Sequence, residues 1–236
     1  MSKTALITGA SRGIGLQTAT RFVESDNDIT TVVLFARESD DFTAAVAALA
    51  ETAAERGKNV VARHVDVGDL EALRASVAEI HEAVGNVDIL VNNAGYTSPV
   101  PIHQVEFSDF ERTMAVNLYA PFLLIQGLLH LGNTFELIVN IASTAGINGR
   151  SGWLTYSASK AAVINMSQVL REELAIYGTR VVCLSPGRTA TALRRVLAPT
   201  EDPSTIMQPE HVAQVIETFA SPVGQYIDSE NIVVRL

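Results

Sequence analysis

Seven short runs rich in Val, Ile and Leu, at 4–8, 31–36, 60–65, 89–92, 137–142, 180–185 and 231–234, alternate with longer stretches of helical periodicity. Strands that are apolar on consecutive residues are covered on both faces, and strands alternating with helices run parallel. The alternation therefore predicts an α/β fold, a single-domain doubly wound parallel sheet of about seven strands with helices on both faces. No internal repeat or linker divides the 236 residues, so one domain over 1–236 is expected. The most flexible segment is expected at 187–208, where Pro199 and Pro203 stand among polar residues after the sixth run.

The first run leads directly into Thr8-Gly9-Ala10-Ser11-Arg12-Gly13-Ile14-Gly15, followed by a helical pattern at 16–23. Glycines at a strand-to-helix turn let backbone approach a pyrophosphate and aim the helix N-terminus at it. The turn is thus a dinucleotide site candidate, although its spacing is not G-x-G-x-x-G. At the end of the second run, where an NAD site usually has a carboxylate for the ribose hydroxyls, the chain reads Phe35-Ala36-Arg37. An arginine there, with Arg12 as a second cation, suits a 2'-phosphate, so the expected cofactor is NADP(H). Glu38 works against that reading.

Tyr156 and Lys160, within a helix-permitting stretch at 151–164, are four apart and share one helical face. A phenol titrates near pH 10 and shuttles protons at neutral pH only if its phenolate is stabilised, which a cation about 4 Å away can do. Lys160 is the expected cation, and Ser143 the third member of the group.

These signals together resemble the short, single-domain branch of the short-chain dehydrogenase/reductases. The Thr8 to Gly15 turn matches TGxxxGxG, Asn92-Asn93-Ala94-Gly95 matches NNAG, Ser143 precedes Tyr156 by thirteen, Tyr156 and Lys160 match YxxxK, and Pro186-Gly187 follows the sixth run. The resemblance implies a Rossmann-type domain in which Tyr156 is the general acid of carbonyl reduction and the base of alcohol oxidation. It further implies that Ser143 bonds the carbonyl oxygen and that Lys160 lowers the tyrosine pKa and holds the nicotinamide ribose. Asn117 would anchor a water relay behind the lysine. Cofactor contacts are implied for Gly9, Ser11, Arg12, Gly13, Ile14, Gly15, Arg37, Asp66, Val67, Asn92, Ala94, Gly95, Pro186, Gly187, Thr189 and Thr191, as well as Tyr156 and Lys160. The Tyr-Lys spacing disfavours an enoyl reductase. The glycine spacing and chain length disfavour a sugar-nucleotide epimerase.

By the same resemblance the substrate pocket draws on Tyr96, Pro99 and Val100, on Ile147, Asn148, Arg150 and Trp153, and on Arg188, Leu193, Val196, Leu197, Ile206 and Met207. That set is mainly apolar, and a small hydrophobic ketone, aldehyde or diketone is the leading expectation. A 3-oxoacyl-thioester reductase and a non-catalytic NADP(H)-sensing protein are the alternatives. Arg150, Arg188, Arg194 and Arg195 could attract an acidic group.

The formal charge of -9 argues against nucleic acid and acidic membranes. Cys183, the single cysteine, reads as a buried apolar residue, and the five histidines show no metal-site pairing, so no metal is expected. No uninterrupted apolar run approaches the roughly 20 residues of a membrane span, so a cytoplasmic protein is expected. Helices near 107–131 and 156–177 resemble the family's paired interface helices, implying a homodimer or homotetramer.

Overall fold

The structure is a computed structural model that describes residues 2–227 and 230–236. Its strands are β1 (Lys3–Thr8), β2 (Ile29–Ala36), β3 (Asn59–His64), β4 (Ile89–Asn92), β5 (Leu137–Ile141), β6 (Arg180–Pro186) and β7 (Ile232–Val234). They form one parallel sheet in the order β3-β2-β1-β4-β5-β6-β7. Its helices include α1 (Gly13–Glu24), α2 (Asp40–Glu55), α3 (Leu70–Val84), α4 (Phe107–Met114), α5 (Ala120–His130), α6 (Thr144–Ile147), α7 (Leu154–Leu174), α8 (Ala192–Leu197) and α9 (Pro209–Ala220).

The period-two geometry of a strand, with both faces of the sheet covered, explains why the central strands carry apolar residues at consecutive positions. Ala5, Ile7, Val32, Leu34, Val91 and Val139 pack on one face with Phe22 of α1, Phe42 of α2 and Phe219 of α9. Leu6, Val33, Phe35, Leu90 and Ile138 pack on the other with Leu73 of α3 and Leu124 and Leu128 of α5. Among the strands on that side of the sheet, β3 is the edge, and its side chains are only partly buried.

Chain order reverses at β1, which pairs with β2 on one side and β4 on the other. The crevice above the carboxyl ends of these strands is where an open parallel sheet accepts a ligand. Helices α4 and α5 are joined by a π turn at Ala115–Tyr119 into one long stretch. That stretch, Phe107–His130, is by length and composition long and apolar enough to cross a membrane, but Asp109, Glu111 and Arg112 interrupt it, so no uninterrupted apolar run of that length exists in it, and half of its apolar window is buried inside the domain. The segment at 187–208 contains α8, a short 3-10 turn at Pro203–Thr205, and a bridge between Thr189 and Met207 that folds it back beside β6.

Candidate active site

A cleft of about 640 Å³ runs across the carboxyl ends of β1, β2, β4, β5 and β6. One end is built from backbone. Gly9 and Gly13 have positive φ, 66° and 60°, a conformation that other residues adopt at a cost. A Cβ on Gly9 would lie 2.9 Å from the Ala94 Cα, and one on Gly15 would lie 2.5 Å from both the Gly9 carbonyl and Asn93 Nδ2. Asn93 locks this turn: its Nδ2 donates to the Thr8 carbonyl at 2.9 Å and the Gly9 carbonyl at 3.2 Å. Thr8 Oγ1 in turn accepts from the Asn93 and Ala94 amides, both at 3.0 Å.

Helices α2 and α3 are capped by the Ser39 and Asp69 side chains, whereas α1 has no side-chain cap. Its first amides are therefore left for a ligand, and the missing cap fits a pyrophosphate. Arg12, Arg37, Glu38 and Asp41 line the same end, so two cations there stand among two carboxylates.

Asp66 lines the cleft but is not a free acceptor. Arg112 of α4 donates to both its oxygens, at 2.8 and 2.6 Å, and the Gly68 amide donates at 2.9 Å. Burial pushes this carboxyl up, and the Gly68 and Arg112 bonds more than offset it, holding the group below the usual range.

The opposite end is built from side chains. Ser143 caps α6, its Oγ accepting from the Ala145 amide at 3.1 Å, and it also hydrogen-bonds the Tyr156 side chain. Tyr156 and Lys160 lie on α7 with relative exposures of 6% and 4%. A Cβ on Gly146 would come within 2.6 Å of the Lys160 carbonyl carbon, so glycine permits α6 to lie directly against α7.

Lys160 is anchored to the end of β5. Its Nζ donates to the Ile141 carbonyl at 2.7 Å and is 5.8 Å from the Tyr156 ring centre. Burial lowers its pKa to about 8, with the neighbouring Cys183 opposing. Burial raises the Tyr156 phenol above its ordinary value; the Ser143 bond and the Arg194 charge oppose that rise without cancelling it. Arg194 is the cation whose charge opposes that rise, and Lys160 stands one turn along α7 from the phenol. Burial likewise pushes the Cys183 thiol up to about 11, as befits a core residue.

Three anticipated residues stand behind the cleft wall and not on it. Gly15 is a packing position against Asn93. Asn92 is buried, and its Nδ2 donates to Asn140 Oδ1 at 2.8 Å; its neighbour Asn93 is the lining residue. Asn117 sits in the π turn, where its Oδ1 accepts from the Tyr96 amide at 2.8 Å and its Nδ2 donates to the Tyr96 carbonyl at 3.0 Å and Ser159 Oγ at 2.9 Å. That side chain is fully used as a brace. Its backbone carbonyl is different, because Pro121 has no amide to give it the usual α-helical bond. Pro121 was the overlooked signal that this helix is irregular at Asn117.

Ser11, Arg12, Gly13, Ile14, Arg37, Val67, Ala94, Gly95, Pro186, Gly187, Thr189 and Thr191 line the cleft with Ser143, Tyr156 and Lys160. Of the anticipated pocket residues, Tyr96, Arg150, Trp153, Arg188, Leu193, Val196 and Leu197 also line it. Pro99, Val100, Ile147, Asn148, Ile206 and Met207 do not, and Ile206 and Met207 are buried, Met207 in the core beneath.

Comparison with known proteins agrees with this geometry. Residues 3–202 match the family described as short chain dehydrogenase. A 3-oxoacyl-[acyl-carrier-protein] reductase from Synechocystis is 32% identical over 239 residues, covering 97% of this chain and 94% of the relative. An acetoacetyl-CoA reductase from Allochromatium vinosum is 32% identical over 249 residues, covering 100% and 98%. Among solved structures, a blue fluorescent protein from a metagenomic library in complex with NADPH superposes with a TM-score of 0.86 at 27% identity, covering 98% of this chain and 96% of that one.

Proposed function

This chain belongs to the short-chain dehydrogenase family, and from that premise we propose that it is an NADP(H)-dependent oxidoreductase acting on a small carbonyl compound or the corresponding alcohol. The observation that carries the reading is the convergence of Ser143, Tyr156 and Lys160 on one wall of a cleft that begins at an uncapped helix N-terminus.

Bound in this cleft, a reduced nicotinamide supplies the hydride. The α1 amides and the glycine turn would hold the pyrophosphate, and Arg12 and Arg37 the 2'-phosphate. Pro186, Gly187 and Thr189 border the other end. A phenol is ordinarily neutral at pH 7, burial of Tyr156 favours that form further, and the neutral phenol is the form that donates a proton to a carbonyl oxygen. Ser143 is placed to hydrogen-bond the same oxygen as negative charge develops on it. Arg194 favours the phenolate left behind, and Lys160, fixed by Ile141, adds a buried ammonium on the same side.

Leu193, Val196, Leu197 and Trp153 give the substrate end an apolar lining, which supports a small hydrophobic ketone, aldehyde or diketone. A 3-oxoacyl thioester is the second reading, favoured by the names of the two relatives above. Replacing Tyr156 with Phe removes only the hydroxyl. Carbonyl-dependent NADPH oxidation should fall by about 10²- to 10⁴-fold, with NADPH affinity close to wild type. Retained turnover would overturn the assignment of Tyr156. Absence of turnover in the wild type across ketones, diketones and thioesters, with NADPH bound, would favour a sensing protein.

A further inference from the structure

The charge of the cleft is divided unevenly. Its carboxylates, Glu38, Asp41 and Asp66, all follow β2 or β3 at the turn end, and none of the lining residues around Tyr156 is acidic. That end is lined instead by Arg150, Arg188 and Arg194, in a chain whose formal charge is -9.

Glu201, behind the lining, balances only part of this excess. It accepts from Arg194 Nε at 2.5 Å and Nη2 at 2.8 Å, and from Arg188 Nη1 at 3.3 Å. One carboxylate shared by two guanidinium groups leaves one positive charge over. Arg150 adds another; among the described residues it has no carboxylate partner, and it rests 5.6 Å from the centre of the Trp153 ring. Arg194 lies at the same distance from that ring, and Trp153 packs edge-on against Tyr156 with centroids 6.5 Å apart. The indole and Glu201 thus hold cations one ring away from the phenol, with Arg194 partly buried and Arg150 and Arg188 exposed at the mouth, where they meet an incoming anion in water.

We infer that the substrate carries an anionic group, recognised by Arg150 and Arg188 while its carbonyl faces Tyr156. This rests on the reading of the protein as a carbonyl oxidoreductase and, within that reading, favours an anionic carbonyl compound over the neutral hydrophobic one. The anion has two possible sources, a carboxylate on a small oxo acid or the phosphates of a coenzyme A thioester.

Trp153 is the only tryptophan in the chain, so its fluorescence reports on this end of the cleft without turnover. The full-length protein, saturated with NADP+ to keep the cofactor's own phosphate sites filled, is titrated with acetoacetate and with neutral methyl acetoacetate. A second pair is acetoacetyl-coenzyme A and acetoacetyl-pantetheine, which lacks the charged phosphates. In one pair the anionic member should bind at least about tenfold tighter, and the pair that responds identifies the source. The preference should shrink at high salt and largely disappear in Arg150→Gln or Arg188→Gln, each checked for folding by circular dichroism and NADP+ affinity. Equal affinities within both pairs, or an undiminished preference in both variants, would overturn the inference. Repeating the titration without cofactor separates this result from any failure of NADP+ to bind, which would count against the proposed function instead.

Discussion

At the β1 end the cleft is built from backbone: Gly9 and Gly13 with positive φ, an uncapped α1, and Asn93 bonded to two carbonyls of the turn. At the β5 and β6 end it is built from side chains, with Tyr156 and Lys160 buried and Arg194 fixed by Glu201. The two constructions fail differently. A backbone site has no spare volume, so one methyl group in the wrong place shifts everything that touches the turn. A side-chain site tolerates local change in shape but depends on the protonation of a few buried groups.

The largest expected effect tests the backbone end. Gly15→Ala puts a methyl group 2.5 Å from the Gly9 carbonyl and from Asn93 Nδ2, and the carbonyl cannot rotate away as a flexible side chain would. Dinucleotide affinity should fall at least a hundredfold, about 2.7 kcal/mol, and overpacking should lower stability by roughly 1–3 kcal/mol. Calorimetric titration and chemical denaturation measure the two losses. An alanine variant that binds and unfolds like the wild type would show that the turn yields, and the contrast between the ends would be lost.

Next comes a pH effect confined to the side-chain end. The Lys160 pKa falls from 10.5 to about 8 in the folded protein, chiefly through burial. Between those values the unfolded chain binds more protons than the folded one, so this residue's contribution to stability rises with pH across about 8 to 10.5 and is least below 8. A shift of this size corresponds to roughly 3–4 kcal/mol. Denaturation of the wild type and of Lys160→Met across this range isolates it, since other groups titrate in both proteins. The difference in unfolding free energy, wild type minus variant, should climb as the pH is raised; a flat difference would mean that the ammonium is not desolvated.

The same contrast explains what could be read from the chain alone. The strands themselves, the glycine turn and the Tyr156 and Lys160 pair were legible because each depends on local chemistry: runs of consecutive apolar residues, glycines at a strand-to-helix turn, or residues one helical turn apart. Gly15 was legible as a glycine, but the close approach of Asn93 that requires it was not, because Asn93 is far away in sequence. Lys160 was found by spacing, yet its bond to the Ile141 carbonyl depends on how α7 lies against β5. Met207 looked like a pocket residue until the Thr189–Met207 bridge turned it into the core. The Arg112–Asp66 pair joins α4 to the end of β3, and nothing local to either residue announces it.

The smallest effect concerns the choice between NADPH and NADH, which rests on neither construction. Arg37 and Arg12 are both exposed, they share their end of the cleft with Glu38 and Asp41, and solvent screens whatever they bind. Arg37→Ala should therefore weaken NADPH by only about tenfold, near 1.4 kcal/mol, and leave NADH unchanged, because the lost partner is the 2'-phosphate alone. Glu38→Gln should move NADPH affinity the opposite way by a smaller factor. Isothermal titration with both dinucleotides decides it. If Arg37→Ala weakens NADH as much as NADPH, the guanidinium is holding the shared pyrophosphate or the turn itself, and Ala36, which occupies the usual position of a ribose-binding carboxylate, would be left as the sole basis for a preference.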